Sequence, residues 1–202
     1  MNDFIAILDR IKGKDCYKKF ASENNESVTS FGRCSKATFI LSHFFSQIDS
    51  NLKLKTNWEV GFFLNDMSYV FSDLSEDVKE DKVFKKPGSD VVELVMNNVK
   101  IDFEKAKEKF LKFKEELYPQ ESLGDGFIIL QNDSEQKTVY NFTLVTKTIK
   151  FLNIKIDSNS GDLYSHQIIN LVQKWFVLIV DYLFLYIQHI YSCLKFVFPL
   201  GC

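Results

Sequence analysis

Apolar residues between Ala37 and Leu74 recur at intervals of three and four, the spacing of one face of an α-helix. Two such patterns occur, joined by a polar stretch at residues 55–57, so we expect two antiparallel helices. The first pattern comprises Ala37, Ile40, Leu41, Phe44, Phe45, Ile48 and Leu52. The second comprises Val60, Phe63, Leu64, Met67, Val70, Phe71 and Leu74. Before them, a short amphipathic segment at residues 4–11 ends near Gly13, and residues 21–30 have the polar composition of a loop.

A third helix is predicted from Asp90 to Tyr118, after a charged connector at residues 75–89. Asp90 can accept a hydrogen bond from the first turn, and Glu93 can reach back to it, which is the capping-box arrangement. Pro119 disfavours a helical conformation at Tyr118 and ends the helix there. The apolar positions of this helix are Val92, Val95, Val99, Phe103, Ala106, Phe110, Phe113 and Leu117.

The period changes to two after residue 126, which is the signature of β-strands. Three strands are expected at residues 127–131, 137–146 and 148–157, separated by polar segments. Three antiparallel strands are marginal by themselves and need a helix to cover one face. We therefore expect a small meander packed against helices.

The chain ends in a segment, residues 166–202, whose polar positions lie on one narrow line of a helix about 80° wide. The remainder of the circumference is apolar. We predict that a membrane or a protein partner faces the apolar side, through Trp175, Phe176, Ile179, Leu183, Phe184, Ile187, Ile190 and Tyr191.

Residues 175–194 hold one formal charge, Asp181, between Lys174 and Lys195. Twenty helical residues span about 30 Å, the thickness of the hydrocarbon core. A central Asp costs about 2.5–3.5 kcal/mol on insertion, while the leucine, isoleucine, phenylalanine and valine side chains together return roughly 3–7 kcal/mol. Gln188 and His189 make insertion less favourable still, so the net free energy of insertion is near zero. Both a C-terminal tail anchor and a helix that covers the sheet therefore stay open, and a helix lying in the interface is disfavoured because its polar face is poor in lysine and arginine.

Composition and charge limit the partners and the cellular compartment that we expect for this protein. The chain has 202 residues and a net charge of −2, with acids and bases interleaved. Nucleic-acid binding usually requires a basic excess, so we expect no nucleic-acid partner. The apolar run at residues 4–8 is too short for a signal peptide, which predicts an intracellular protein with reduced cysteines.

No pattern of residues indicates catalysis, a cofactor or a metal. His43 falls between apolar positions of a predicted helix, where a packed histidine is expected. His166 with Cys193 or Cys202 offers a base and a nucleophile, but their spacing matches no catalytic motif. Residues 157–162 differ from a calcium loop because the glycine is displaced and Ile168 stands where the bidentate glutamate belongs.

The sequence thus predicts an α+β protein with a helical N-terminal half, a small antiparallel meander and a long apolar C-terminal helix. Residues 1–165 would form the mixed domain, with helices to about 118 and strands at about 127–157, and residues 166–202 the C-terminal helix. We expect a non-enzymatic protein-interaction or assembly protein without cofactor, on the cytoplasmic face of a membrane or in the cytoplasm. Two alternatives are a soluble module or obligate subunit that buries the C-terminal helix, and a carrier of apolar ligands.

Overall fold

The computed structural model describes residues 3–25, 39–82, 90–133 and 135–171. Eight antiparallel strands form one sheet in these ranges, accompanied by three α-helices and a short 3-10 helix at Met96–Asn98. The helices are α1 (Asp3–Gly13), α2 (Asp15–Asn25) and α3 (Phe103–Leu117). The strands are β1 (Ile40–Ile48), β2 (Glu59–Leu64), β3 (Met67–Ser72), β4 (Lys79–Lys82), β5 (Leu123–Asn132), β6 (Thr138–Thr146), β7 (Lys150–Asp157) and β8 (Leu163–Asn170).

Two four-stranded meanders make up the sheet, whose order is β4-β3-β2-β1-β5-β6-β7-β8. Strands β1 and β5 pair at the centre, in a regular register from His43 opposite Gln131 to Ile48 opposite Gly126. Helix α3 lies in the connection between the two meanders. The fold is therefore β-rich, and the expected helical N-terminal half is wrong.

Helix α1 packs on one face of this sheet, which we call the helix face. Its apolar stripe places the ring of Phe4 5.0 Å from that of Phe44 on β1 and 4.9 Å from that of Trp58. Phe4 is 2 % exposed, and Phe44 is fully buried. Edge-to-face aromatic contacts of this kind add to the stabilisation that burial alone provides.

Helices α2 and α3 cover the helix face on either side of α1. The ring of Phe20 on α2 lies 5.5 Å from Phe71 on β3, and that of Phe110 on α3 lies 4.7 Å from Phe142 on β6. Trp58 contacts α3 as well, through Phe103. All three α-helices of the described ranges thus contribute to one aromatic core.

The predicted start of the third helix is wrong, and its predicted end is confirmed. The side chain of Asp102 accepts a hydrogen bond from the amide of Lys105 at 2.8 Å and caps α3. Asp90 lies outside the helix, and Leu94 bonds through its amide to the carbonyl of Leu41 beside β1. Helix α3 ends at Leu117, immediately before Tyr118.

The two helices predicted between Ala37 and Leu74 are strands β1, β2 and β3; Ala37 itself lies outside the described residues. The misleading period arises because each face of the sheet mixes apolar and polar side chains. Ser46 is a polar residue opposite Ile128 on the helix face, and Phe45 is an aromatic residue on the other face. Apolar pairs at adjacent positions then imitate the spacing of three and four.

The predicted helical residues Leu64 to Met67 enclose the tight turn between β2 and β3. Asn65 and Asp66 both have positive φ angles, 49° and 65°. Two consecutive positive φ angles define the two-residue hairpin turn that Asn and Asp favour. These two residues were the local signal for strands in this region.

Three expected strands are confirmed within β5, β6 and β7, but the expected helix at 166–202 is wrong where it can be compared. Residues 166–170, at the start of the predicted helix, belong to β8. The remainder of the predicted helix, with Trp175, Phe176, Ile179, Leu183, Phe184, Ile187, Ile190 and Tyr191, lies outside the described residues. Two predicted loops are also partly wrong, because residues 21–25 belong to α2 and residues 79–82 form β4.

Candidate interaction surface

The two edges of the sheet differ in charge and length. Strand β4 has four residues, and all four are charged (Lys79, Glu80, Asp81 and Lys82). Strand β8 has eight residues and no formally charged side chain. Short strands and charged side chains discourage pairing at a sheet edge, whereas a long uncharged edge strand favours it.

The hydrogen-bonding groups of β8 that point away from the sheet follow from its register. The amide of Leu171 bonds to the carbonyl of Ile149 at 3.2 Å, just beyond the pair of Asn170 with Lys150. Because the hydrogen-bonded pairs of an antiparallel ladder alternate, Ile169 and Gln167 also bond toward β7. The amides and carbonyls of Asn170, Ile168 and His166 therefore face outward, along the edge where the order of described strands ends.

An apolar group, which we call the corner patch, lies where β6, β7 and β8 meet. Val145, Phe151 and Ile169 stand opposite one another on the three strands, on the face of the sheet away from α1, α2 and α3. Their exposed fractions are 37 %, 38 % and 36 %, and Ile149, on the turn between β6 and β7, is 56 % exposed. Four exposed apolar side chains are thus neighbours at this corner of the sheet.

His43 lies on the same face, over Gly61 of the neighbouring strand. A Cβ atom on Gly61 would stand 2.1 Å from the Cε1 atom of His43, so the ring occupies the space that glycine leaves open. The hydroxyl of Ser42 donates to the carbonyl of Gly61 at 2.9 Å and lies 2.9 Å from Nδ1 of His43. Since the hydroxyl has one proton, Nδ1–H donates to it, and Nε2 carries the free lone pair.

Two features of its surroundings act on the pKa of this histidine in opposite directions. Burial lowers the pKa of His43, while the carboxylate of Glu59 acts in the opposite direction. The neutral ring in this tautomer can accept a hydrogen bond at Nε2. The environment thus differs from the apolar helical position expected from the sequence, although the expectation of a packed, hydrogen-bonded histidine is confirmed.

A polar cleft of about 280 Å³ opens at the other end of β6 and β7. Its walls are lysine, amide, hydroxyl and carboxylate side chains, contributed by the 3-10 helix and by two turns. Asp157 accepts hydrogen bonds from the amides of Asn159 and Ser160 within its own turn. Residues 157–162 are therefore a turn that connects β7 to β8.

The remaining sequence candidates are dispersed. Nδ1 of His166 lies 2.7 Å from the hydroxyl of Tyr118, and their rings meet edge to face. Its suggested nucleophiles, Cys193 and Cys202, lie outside the described residues. Within the ranges that the structure describes, no group of three histidine, cysteine or acidic side chains is arranged to hold a metal ion.

Sequence reasoning did not find the corner patch or the uncharged edge. The run from Leu163 to Asn170 carries no charge and alternates weakly, and the sequence pattern places residues 166–170 in the helix that follows. The sequence predicts its pairing partner, β7, correctly, and residues 157–162, Asp-Ser-Asn-Ser-Gly-Asp, have the composition of a turn. Those two signals together could have indicated a fourth strand.

The comparisons with known proteins identify no family for this chain. No family model matches the chain, and no curated protein matches it. One solved structure, described as "a putative lipoprotein" from Clostridium difficile 630, resembles 64 % of this chain and 82 % of its own at 15 % identity and a TM-score of 0.42. A likeness of this degree carries no conclusion about this chain. Among the helices of the described ranges, none is long and apolar enough to cross a bilayer.

Proposed function

We propose that this chain is a non-enzymatic protein-interaction protein that binds an extended segment of another protein along the outer edge of β8. The observation that carries the proposal is the contrast between the two sheet edges: β4 is short and charged, and β8 is long and uncharged. A partner segment added to such an edge gains main-chain hydrogen bonds and finds side-chain contacts on both faces.

The chemistry of β8 specifies the partner segment. The outward amides and carbonyls of His166 and Ile168 offer hydrogen bonds at two alternate positions. On the face of the corner patch, Ile169 is the last apolar side chain of its row, so an apolar residue of the partner would extend that row. Because β8 lacks formal charge, we expect an uncharged segment of about six residues, in an extended conformation.

Photo-crosslinking on the full chain tests this proposal. A photo-reactive amino acid replaces Gln167 on β8 in one variant and Gln47, an exposed residue of the central strand β1, in the control. We expect adducts from position 167 that map to one segment of one other protein, and no such adduct from position 47. Equal adducts from both positions, adducts only with a second copy of this chain, or no adduct would contradict the proposal.

Two matched lysine variants then measure the contribution of the edge. Ile169→Lys and Val145→Lys alter the same row at almost the same exposure, but only Ile169 lies on the edge strand. A synthetic peptide of the crosslinked segment should bind the Ile169→Lys protein about tenfold more weakly, or about 1.4 kcal/mol. Its affinity for the Val145→Lys protein should stay within about twofold of the unmodified chain, since a strand added at β8 does not reach β6.

The membrane tether predicted for residues 175–194 forms a separate part of the proposal. Their sequence supports it, with one formal charge in twenty residues and a lysine at each end. We expect the full chain to stay in the membrane pellet after alkaline carbonate extraction, and in the intracellular fraction of cells. Release into the supernatant would remove the tether and leave the edge-binding proposal standing.

A further inference from the structure

The turn between β6 and β7 holds an isoleucine in an unfavourable backbone conformation. Ile149 has a φ angle of 57°, in the left-handed region, where a β-branched side chain is a genuine outlier. Glycine or asparagine would adopt this conformation more readily. The side chain gains little from burial in return, because it is 56 % exposed. An exposed apolar side chain in a strained turn indicates that the residue serves a contact outside the described fold.

The surroundings of Ile149 combine apolar and basic character. Lys147 is exposed on the same turn, and Phe151 and Val145 of the corner patch flank the turn on the adjoining strands. Lys150 is committed elsewhere, because its Nζ atom pairs with Glu121 at 2.5 Å. The turn therefore presents one apolar tip beside an available lysine.

This turn lies at the point where the chain leaves the described fold. The carbonyl of Ile149 accepts the hydrogen bond from Leu171, the last described residue. Residues 172–202 follow, and within them the stretch from Trp175 to Leu194 has a single formal charge. In the sequence, three residues separate Leu171 from Trp175.

We propose that the turn Thr146–Lys150 contacts the lipid surface at which residues 172–202 are held. Ile149 enters the boundary between headgroups and acyl chains, and Lys147 lies against anionic headgroups. Apolar side chains at that depth and basic side chains at the surface both favour binding to an anionic leaflet. This inference rests on the membrane tether of the proposed function, and it fixes which end of the sheet faces the bilayer.

Amide hydrogen exchange on the full chain tests the inference. The probe is vesicles of phosphatidylcholine containing about one fifth phosphatidylserine, the kind of anionic surface that attracts basic residues. We expect exchange to slow at least about threefold at residues 147–151 when vesicles are added, by exclusion of water from the contact. The turn at residues 157–161 lies at the opposite end of β7 and serves as the internal control.

A substitution at the tip separates the contact from the tether. Ile149→Asn tolerates the left-handed conformation and removes the apolar tip, so the variant should still sediment with vesicles but lose the protection at 147–151. A photo-reactive amino acid in place of Ile149 should form adducts with lipid.

The possible failures are distinguishable. If the unmodified chain does not sediment with vesicles, the tether and this inference both fall, whereas β8 binding is unaffected. If the chain sediments but residues 147–151 exchange at an unchanged rate, the inference alone is overturned. Adducts from position 149 with protein instead of lipid also overturn it, and would assign the tip to a protein contact.

Discussion

Gly61 has no side chain, and the ring of His43 occupies the space that this leaves on the sheet. The ring of His43 covers the glycine, and its Nδ1–H is held by Ser42, which in turn donates to the carbonyl of Gly61. These contacts fix both the position and the tautomer of the ring. The environment of a single glycine thus determines how one titratable group is presented on the sheet.

Gly61→Ala should lower the free energy of unfolding by about 1–3 kcal/mol, the usual cost of overpacking a filled site. The added methyl group would stand 2.1 Å from the ring carbon of His43, and one of the two must move. Chemical denaturation followed by tryptophan fluorescence measures the change. The prediction concerns packing, since no left-handed φ angle is involved at Gly61.

Gly13→Ala is the matched control, because nothing lies within 4 Å of a Cβ atom at Gly13. Its effect should not exceed about 1 kcal/mol in either direction. The same Gly61→Ala change in a His43→Ala background should cost less than in the unmodified chain, since the ring is gone. Equal costs in both backgrounds would show that the ring does not cause the penalty.

Asp102 determines where helix α3 begins. Its carboxylate accepts the Lys105 amide at 2.8 Å and satisfies a donor that the helix itself leaves open. Asp102→Ala should lower the free energy of unfolding by about 0.5–2 kcal/mol. Thermal or chemical denaturation gives this value directly.

Asp90→Ala provides the comparison for that experiment, because Asp90 is the cap that the sequence favours. It lies outside α3, and its replacement should change the free energy of unfolding by no more than about 0.5 kcal/mol. A larger loss for Asp90→Ala than for Asp102→Ala would contradict the observed start of the helix.

Helix α3 also shows which boundaries the sequence could define. The end was predictable because Pro119 acts on its immediate neighbour, Tyr118. The start was not, because Val92, Val95 and Val99 continue the helical spacing through a segment that is extended and 3-10 helical. Spacing alone does not distinguish valines on a helix from valines in an extended segment.

The strands could be predicted only where their two faces differed consistently. Strand β6 alternates with few exceptions, and it was recognised. In β1 the exceptions are Ser46 on the helix face and Phe45 on the opposite face, and the alternation is lost. The corner patch was equally hidden, since it depends on the registers that bring Val145, Phe151 and Ile169 together.

Phe4 connects distant parts of the whole molecule. Its ring contacts Phe44 of β1, Trp58 before β2 and Tyr140 of β6, so α1 helps to hold both meanders together. Phe4→Ala should therefore lower the free energy of unfolding by about 3–5 kcal/mol, as for other buried phenylalanines. The measurement is chemical denaturation of the full chain, in detergent if the C-terminal segment requires it.

Ile5→Ala is the neighbouring control for Phe4→Ala, since Ile5 is 36 % exposed on the same helix. We expect its effect to be within about 0.5 kcal/mol, the usual range for surface substitutions. Similar losses for the two variants would mean that α1 contributes mainly through its own helical stability, and that packing on the sheet matters less.

The central pairing of β1 with β5 has a consequence for the order of events during translation. Strand β1 emerges from the ribosome long before β5, because β2, β3, β4 and α3 are synthesised in between. Until then one side of β1, a strand rich in phenylalanine and isoleucine, has no partner in the nascent chain. Closing so long a loop is slow, so β1 stays open to non-native pairing until β5 has been synthesised.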